Sequence, residues 1–408
     1  MLFYALIIGL AQVAAGGTLP VSKSLEELAR QAQSRVEKMR KQALRKPLKK
    51  GVKSKPQITA FIRKRMNDEY GPAKIKAEGD LLRLQGLLPM GTDYSALISG
   101  LLTEQVAGFY DHTRQELHIA DWLPSIIQGP VMAHEIFHAI QDQEWDAGKL
   151  INSKLYTHDE VLAHAALLEG DATVVMFNYQ QADGSGADIS LSAITVQMIA
   201  ASLPMQMSSP QYPTMAAAPP YMKQSLIFPY QQGFLFVAAL RNAGMSWDRM
   251  RDVYRDPPAS TEQILHPKKY YPKRDLPSKV QLPTPLFPGF KRTWSGVAGE
   301  FHARQLLLSA LPIGEAVSGA EGWDGDETIV STKGDKQVAL TLSTWDSTDD
   351  ASDFAEALKS KNDKSAKTGV TLVIKQDEMN VIYAFSKDAQ LANDAVVRAQ
   401  QDGKVNRR

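Results

Sequence analysis

Five consecutive residues, His134-Glu135-Ile136-Phe137-His138, constrain this chain more than any other feature. No helix breaker follows them before Gly148, and Pro130 suits a first helical position, so one helix is predicted from about Pro130 to Ala147. Residues i and i+4 share a helix face, so both imidazoles point the same way. Two neutral imidazoles at that spacing can ligate one Zn2+ through bonds of about 2.0–2.1 Å. Glu135 projects beside them, where a carboxylate can act as general base toward water. With 8 histidines in 408 residues, the pattern arises by chance about 0.01 times. Two unrelated core histidines are therefore a poor account of it.

Such a face needs a second element to complete a site. The cysteine count is zero, which removes thiolate ligands, thiol nucleophiles and disulfides. Any metal must be held by His, Asp or Glu. In the longer form H-E-x-x-H-x-x-G-x-x-H the third ligand lies on the same segment, but Gln141 and Glu144 replace its Gly and third His. The third ligand is expected from another helix. Thr157-His158-Asp159-Glu160 is a capping box, so that helix starts near His158, and Asp159 and Glu160 take local roles at its N-terminus. Glu169 lies about 11 residues into it, and the His pair about 11 residues before the first helix ends. At 1.5 Å per residue both stand roughly 16 Å from the connecting loop, so an antiparallel return brings them to one level. The neighbours of Glu169 at ±3 and ±4 are Ala165, Ala166, Ala172 and Thr173, all small. A carboxylate buried among them calls for a cation. His164, flanked by Val161, Leu167 and Leu168, reads as a core histidine. Asp171 lies about 200° round the helix from Glu169, which suits a supporting or structural role.

At these residues the chain resembles the gluzincin zinc metallopeptidases, with H-E-x-x-H on one helix and Glu on the next. The stretch His134–Gln143 is similar to a group of poorly characterised exported bacterial metallopeptidases, and Pro257–Tyr270 (PPASTEQILHPKKY) resembles that group less specifically. The resemblance covers about Val106–Tyr179. It implies a mainly helical zincin-like catalytic domain, zinc held by His134, His138 and Glu169, and Glu135 as catalytic base. It also implies a strand upstream of the helix that aligns substrate, for which Glu116–Ala120 is the match. One departure is plain. The Asp that some gluzincins carry four residues after the ligand Glu, to orient a zinc-bound His, is Thr173 here. That support must come from elsewhere. An oxyanion-stabilising donor is also expected, with His266, Tyr230 and Tyr270 as candidates.

The rest of the chain frames this site. Residues 1–17 read as a signal peptide: Leu2–Val13 is apolar apart from Gln12, and Val13 and Ala15 suit a cleavage site, although no basic residue precedes the run. Export follows, periplasmic or secreted, with membrane attachment as the outcome if the segment stays uncleaved. Residues 18–95 form a basic helical region. Between Arg35 and Lys76 stand 15 of the 46 Lys/Arg and 3 of the 45 Asp/Glu, a local +12 in a chain of net +1. Helices are expected over Ser24–Leu44, Gln57–Tyr70 and Ile75–Leu88, with a loop at Lys46–Lys55. The densest part, Lys38–Lys55, has no interleaved aromatics and the region has no nucleic-acid module, so nucleic acid is not an expected partner. A solvated basic face is the plain reading and an anionic envelope surface the alternative.

Residues 96–285 form the catalytic domain, opening with a hairpin of Val106–Tyr110 and Glu116–Ala120. Its Pro- and Met-rich stretch Met205–Tyr230 reads as irregular. Four prolines in Pro277–Pro288 mark a linker. Residues 289–408 read as a small α+β domain with an antiparallel sheet and no catalytic constellation. The chain as a whole is expected to be α+β. The expected activity is zinc-dependent endopeptidase hydrolysis of a peptide or protein. The alternatives are an exported binding or scaffold protein with a structural or vestigial metal site, and a zinc hydrolase of non-peptide bonds.

Overall fold

The computed structural model describes residues 25–181, 192–207 and 212–407. The expected signal segment, and Ser24 of the first helix, lie outside them. The N-terminal half carries α1 (Leu25–Arg40), β1 (Lys49–Lys53), α2 (Lys55–Glu69), α3 (Gly71–Leu84), α4 (Tyr94–Gln105), β2 (Gly108–Asp111) and β3 (Glu116–Ala120). Then come α5 (Ser125–Trp145), α6 (Ala147–Leu150), α7 (His158–Gln181), α8 (Ala193–Met207), α9 (Pro213–Ala217), α10 (Pro220–Asn242), α11 (Trp247–Arg255) and α12 (Thr261–Leu265). The C-terminal part carries β4 (Lys279–Gln281), β5 (Lys291–Gly296), α13 (Gly299–Leu308), α14 (Ile313–Ser318), β6 (Trp323–Lys333) and β7 (Lys336–Trp345). It ends with α15 (Thr348–Lys359), α16 (Asn362–Lys367), β8 (Thr371–Asp377), β9 (Asn380–Ser386), α17 (Ala389–Asp402) and β10 (Lys404–Asn406). The fold is α+β.

The central helices are α5 and α7. Residues 131–141 and 161–179 are buried without interruption, so neither helix shows the one-sided polarity of a surface helix. They lie antiparallel: Gly129 of α5 abuts the Tyr179 ring, and Gln141, three turns on, reaches the Leu168 carbonyl. On one side α1 packs Ala29, Ala32, Val36 and Met39 against Val131, Ile136, Phe137 and Ile140 of α5. On the other, α10 crosses α7 at backbone contact. A Cβ on Gly170 would stand 2.1 Å from the carbonyl carbon of Gly233, and one on Gly233 would stand 1.9 Å from the Ala166 carbonyl oxygen. Only two glycines permit that approach.

Several local expectations change. The loop expected at Lys46–Lys55 contains β1, which pairs in parallel with β3 from Lys49↔Glu116 to Lys53↔Ala120. Its lysines mark an edge strand guarded against further pairing, a pattern that hides the strand from a search for apolar alternation. Helix α5 starts at Ser125, so Pro130 is internal. The stretch Met205–Tyr230 is mostly helical where described. Two of its prolines open helices, Pro213 at the start of α9 and Pro220 at the start of α10, while Pro229 is accommodated inside α10. Residues 208–211 lie outside the described set.

The C-terminal part is an antiparallel sheet in the order β5-β6-β7-β9-β8. Alternation divides its faces. Ile329, Leu340 and Ile382 pack under α17, whereas Val330, Tyr383 and Phe385 face the larger core shared with α13 and α15. The segment after Pro257 ties this sheet domain to α7. Thr261 donates its N–H and hydroxyl to the buried Asp159 carboxylate at 3.0 and 2.5 Å, and Phe301 N–H donates to Thr261 Oγ1. Gly299, at φ 81°, leaves room for Asp159, whose Oδ1 would lie 1.7 Å from a Cβ there. Asp159, in the first turn of α7, thus ties that helix to the segment that leads into the sheet domain instead of acting only locally at the helix N-terminus. Among the described residues, no helix is long and apolar enough to cross a membrane.

Candidate metal centre

The antiparallel pairing of α5 and α7 brings His134, His138 and Glu169 together. The two Nε2 atoms are 3.0 Å apart, and Glu169 Oε2 stands 3.2 Å from His134 Nε2 and 3.5 Å from His138 Nε2. Donor atoms around a tetrahedral zinc with bonds of 2.0–2.1 Å are separated by about 3.3 Å. The triangle therefore has the dimensions of one face of such a coordination sphere. Among the described residues, it is the group of three or more His or carboxylate ligands able to converge on an ion. All three are at most 5% exposed.

The charge states suit ligands. Burial holds His134 below its ordinary pKa, against the pull of Glu169, and so keeps it neutral. Burial would raise Glu169, but the facing histidines outweigh it and hold the carboxylate in its ionised form. Glu135 is fully buried beside them, and neither carboxylate oxygen has a hydrogen-bond partner. Burial pushes its pKa well up, and the Glu169 charge adds to this. The nearby Tyr110 main-chain amide, outside hydrogen-bond geometry, offsets a little. A buried carboxylate without partners is costly unless a proton, a water or a cation meets it. Its environment is that of a group poised to take and release a proton.

The orientation of His138 comes from a residue the sequence reading used only to exclude the longer motif. Gln141 accepts at Oε1 from His138 Nδ1 at 2.6 Å. Its Nε2 donates to the Leu168 carbonyl at 3.0 Å and to the Tyr254 hydroxyl at 2.8 Å. Tyr254 donates to Asp171 Oδ2 at 2.5 Å. Burial and the Asp171 charge push this phenol far above its ordinary pKa, so it stays protonated. Asp171 in turn accepts both guanidinium arms of Arg40 from α1, the NH2 contact at 2.9 Å. Arg40 is sandwiched between the rings of Phe137 and Trp247, at 4.3 and 3.9 Å from their centroids. The sequence signal was the i, i+3 spacing of His138 and Gln141 on one helix face. Nothing in it pointed to Arg40 or Tyr254.

Other expected residues fall into place or move away. His164 is a core histidine, its Nδ1 at 2.7 Å from the Leu150 carbonyl. Of the three candidate oxyanion donors, Tyr230 stands at the site, its ring 6.5 Å from that of His134. His266 pairs with the buried Glu300 at 3.0 Å, and Tyr270 donates to the Asp256 carbonyl. His266 thus belongs to the contact with α13, whereas Tyr270 packs on Phe236 of α10. The strand Glu116–Ala120 is the centre of its sheet, paired with β1 on one side and β2 on the other. Both its edges are filled, so it cannot receive a further strand. The edge strand beside α5 is β2.

Residues 289–406 match a family model described as Domain of unknown function (DUF8575). This covers the sheet domain and begins at the boundary expected from the proline-rich linker. No curated protein and no solved structure matches the chain.

Proposed function

We propose that this chain is an exported zinc metallopeptidase that hydrolyses internal peptide bonds. What supports the reading is one arrangement: three converging donors at the spacing of a zinc site, with an unpartnered buried carboxylate next to them. His134, His138 and Glu169 would hold the ion, which when bound would polarise the scissile carbonyl and acidify water at its open position. Glu135 accepts the proton of the attacking water and passes it to the leaving amine. Tyr230, whose ring lies 6.5 Å from that of His134, is the candidate donor toward the developing oxyanion.

A structural zinc site is the second reading, favoured by the low exposure of the ligands. Structural sites are commonly closed by four protein ligands, whereas three are assembled among the described residues and the Glu135 oxygens have no hydrogen-bond partner there. Cleavage of a peptide library by the chain from Thr18 decides between them. Glu135→Gln is expected to retain zinc and to lose at least 100-fold in kcat, since general-base assistance is worth about 10²–10⁴-fold. Full activity in that variant with zinc bound removes the mechanism. Zinc binding without cleavage by the wild type favours the structural site.

A further inference from the structure

We infer that the N-terminal helix α1 is part of the metal centre: Arg40 acts through Asp171, Tyr254 and Gln141 as a positioning residue for His138, so metal binding and docking of α1 are coupled. The inference rests on the metal reading above and goes beyond it.

The argument is one of hydrogen-bond direction. A guanidinium donates and never accepts, so both Asp171 oxygens are acceptors. Tyr254 must then donate to Asp171, which leaves its oxygen lone pairs for the Gln141 amide. The Leu168 carbonyl accepts from that same amide nitrogen, so Gln141 cannot flip without losing both bonds. Its carbonyl is thereby held toward His138 Nδ1, which must carry the hydrogen. The lone pair of His138 falls on Nε2, the atom that faces His134 and Glu169. Five groups in a row each have one consistent role, and the first lies 131 residues from Asp171 in sequence.

All five groups are buried, so no exposed surface dilutes the coupling. The arrangement replaces the missing carboxylate at Thr173 by a different route. A neutral amide orients the histidine, and an ion pair from another element orients the amide. It also gives α1 two attachments of different kind. Its apolar face packs on α5, and Arg40, in its last turn, reaches past Phe137 into the second sphere of the site.

The test is zinc affinity by chelator competition on the full chain, with thermal melting to show that each variant is folded. Gln141→Leu is expected to weaken zinc by about 10- to 100-fold, as outer-sphere partners of ligating histidines do. Tyr254→Phe and Arg40→Lys, which keep the ring and the charge, are expected to weaken it by about 3- to 10-fold. If Tyr254 acts through Gln141, adding Tyr254→Phe to Gln141→Leu costs nothing further. In the reverse direction, zinc should slow amide exchange in residues 25–40 of the wild type and do so less in Gln141→Leu. A wild type that binds zinc, with folded Tyr254→Phe and Arg40→Lys variants of unchanged affinity, overturns the coupling. A wild type that binds no zinc overturns the metal reading instead.

Discussion

The crossing of α7 and α10 yields a prediction with an unusual sign. Gly170 lies inside a helix, where replacing Gly with Ala normally gains about 1 kcal/mol through backbone entropy. Here the new Cβ would sit 2.1 Å from the Gly233 carbonyl carbon and 2.2 Å from its oxygen. Ordinary contact begins near 3.4 Å, so α10 must retreat by roughly 1.3 Å along this line. The obstacle is backbone, which cannot rotate aside as a side chain can. Overpacking of this kind costs about 1–3 kcal/mol, and backbone contact places it at the upper end. The net expectation for Gly170→Ala is a loss of about 2 kcal/mol, read as a fall in Tm of about 2 °C for a chain of 408 residues. Gly233→Ala should behave alike, because its Cβ meets the Ala166 carbonyl oxygen at 1.9 Å. Thermal and urea melts monitored by circular dichroism measure both. A Gly170→Ala protein that melts at or above the wild type would show that propensity governs this position and that the helices do not cross at backbone contact.

Three further outcomes are expected. Burial, helped by the Lys361 charge, lowers His302 from 6.5 to about 3. It stands neutral between Gln85 and Tyr221. The unfolded chain takes up this proton below pH 6.5 and the folded chain does not. The stability tied to His302 is therefore intact above pH 6.5 and lost as pH falls toward 3, at about 1.4 kcal/mol per pH unit. The difference between wild-type and His302→Gln urea midpoints across pH 4–7 isolates it, and parallel curves would contradict it. Thr261→Val removes the hydroxyl bonded to the Asp159 carboxylate and should cost about 1–3 kcal/mol, most visibly as faster proteolysis at the seam between α7 and the sheet domain. Finally, zinc held at 100 times its Kd should stabilise the fold by about 2.7 kcal/mol over the chelated protein. His134→Ala should abolish that difference in differential scanning calorimetry.

Some of this site was legible because it depends on short-range geometry alone. The spacing of His134 and His138 states a helix face, and the capping box at Thr157 states where α7 begins. Glu160 N–H lies 3.3 Å from Thr157 Oγ1 and Thr157 N–H 2.8 Å from Glu160 Oε2, as a capping box requires. From those two facts the level of Glu169 followed by counting residues. The hairpin of β2 and β3 and the alternating strands of the sheet domain were legible for the same reason, since alternation is a local pattern. Parts of the fold with no apolar pattern stayed hidden. The lysine-rich β1 exists because β3 offers it an edge; α4, by contrast, carries legible signals that the sequence reading left unused, an Asp93 N-cap and an apolar face of Tyr94, Ile98, Leu101 and Leu102.

The partners of the site were decided by tertiary packing. Gly170 carries no mark of its own in sequence, but in space it is the point where α10 touches α7. Arg40 looks like one cation in a basic run, yet it is buried between two rings and bonded to Asp171. Tyr254, 83 residues beyond Asp171, carries no local mark of its task. Sequence periodicity reports which face of an element is apolar. It does not report which distant polar atom will satisfy a buried one, because that depends on where three helices meet. The convergence of His134, His138 and Glu169 was set by the spacing of these residues, and the orientation of His138 was set only when α1, α7 and α11 closed around it.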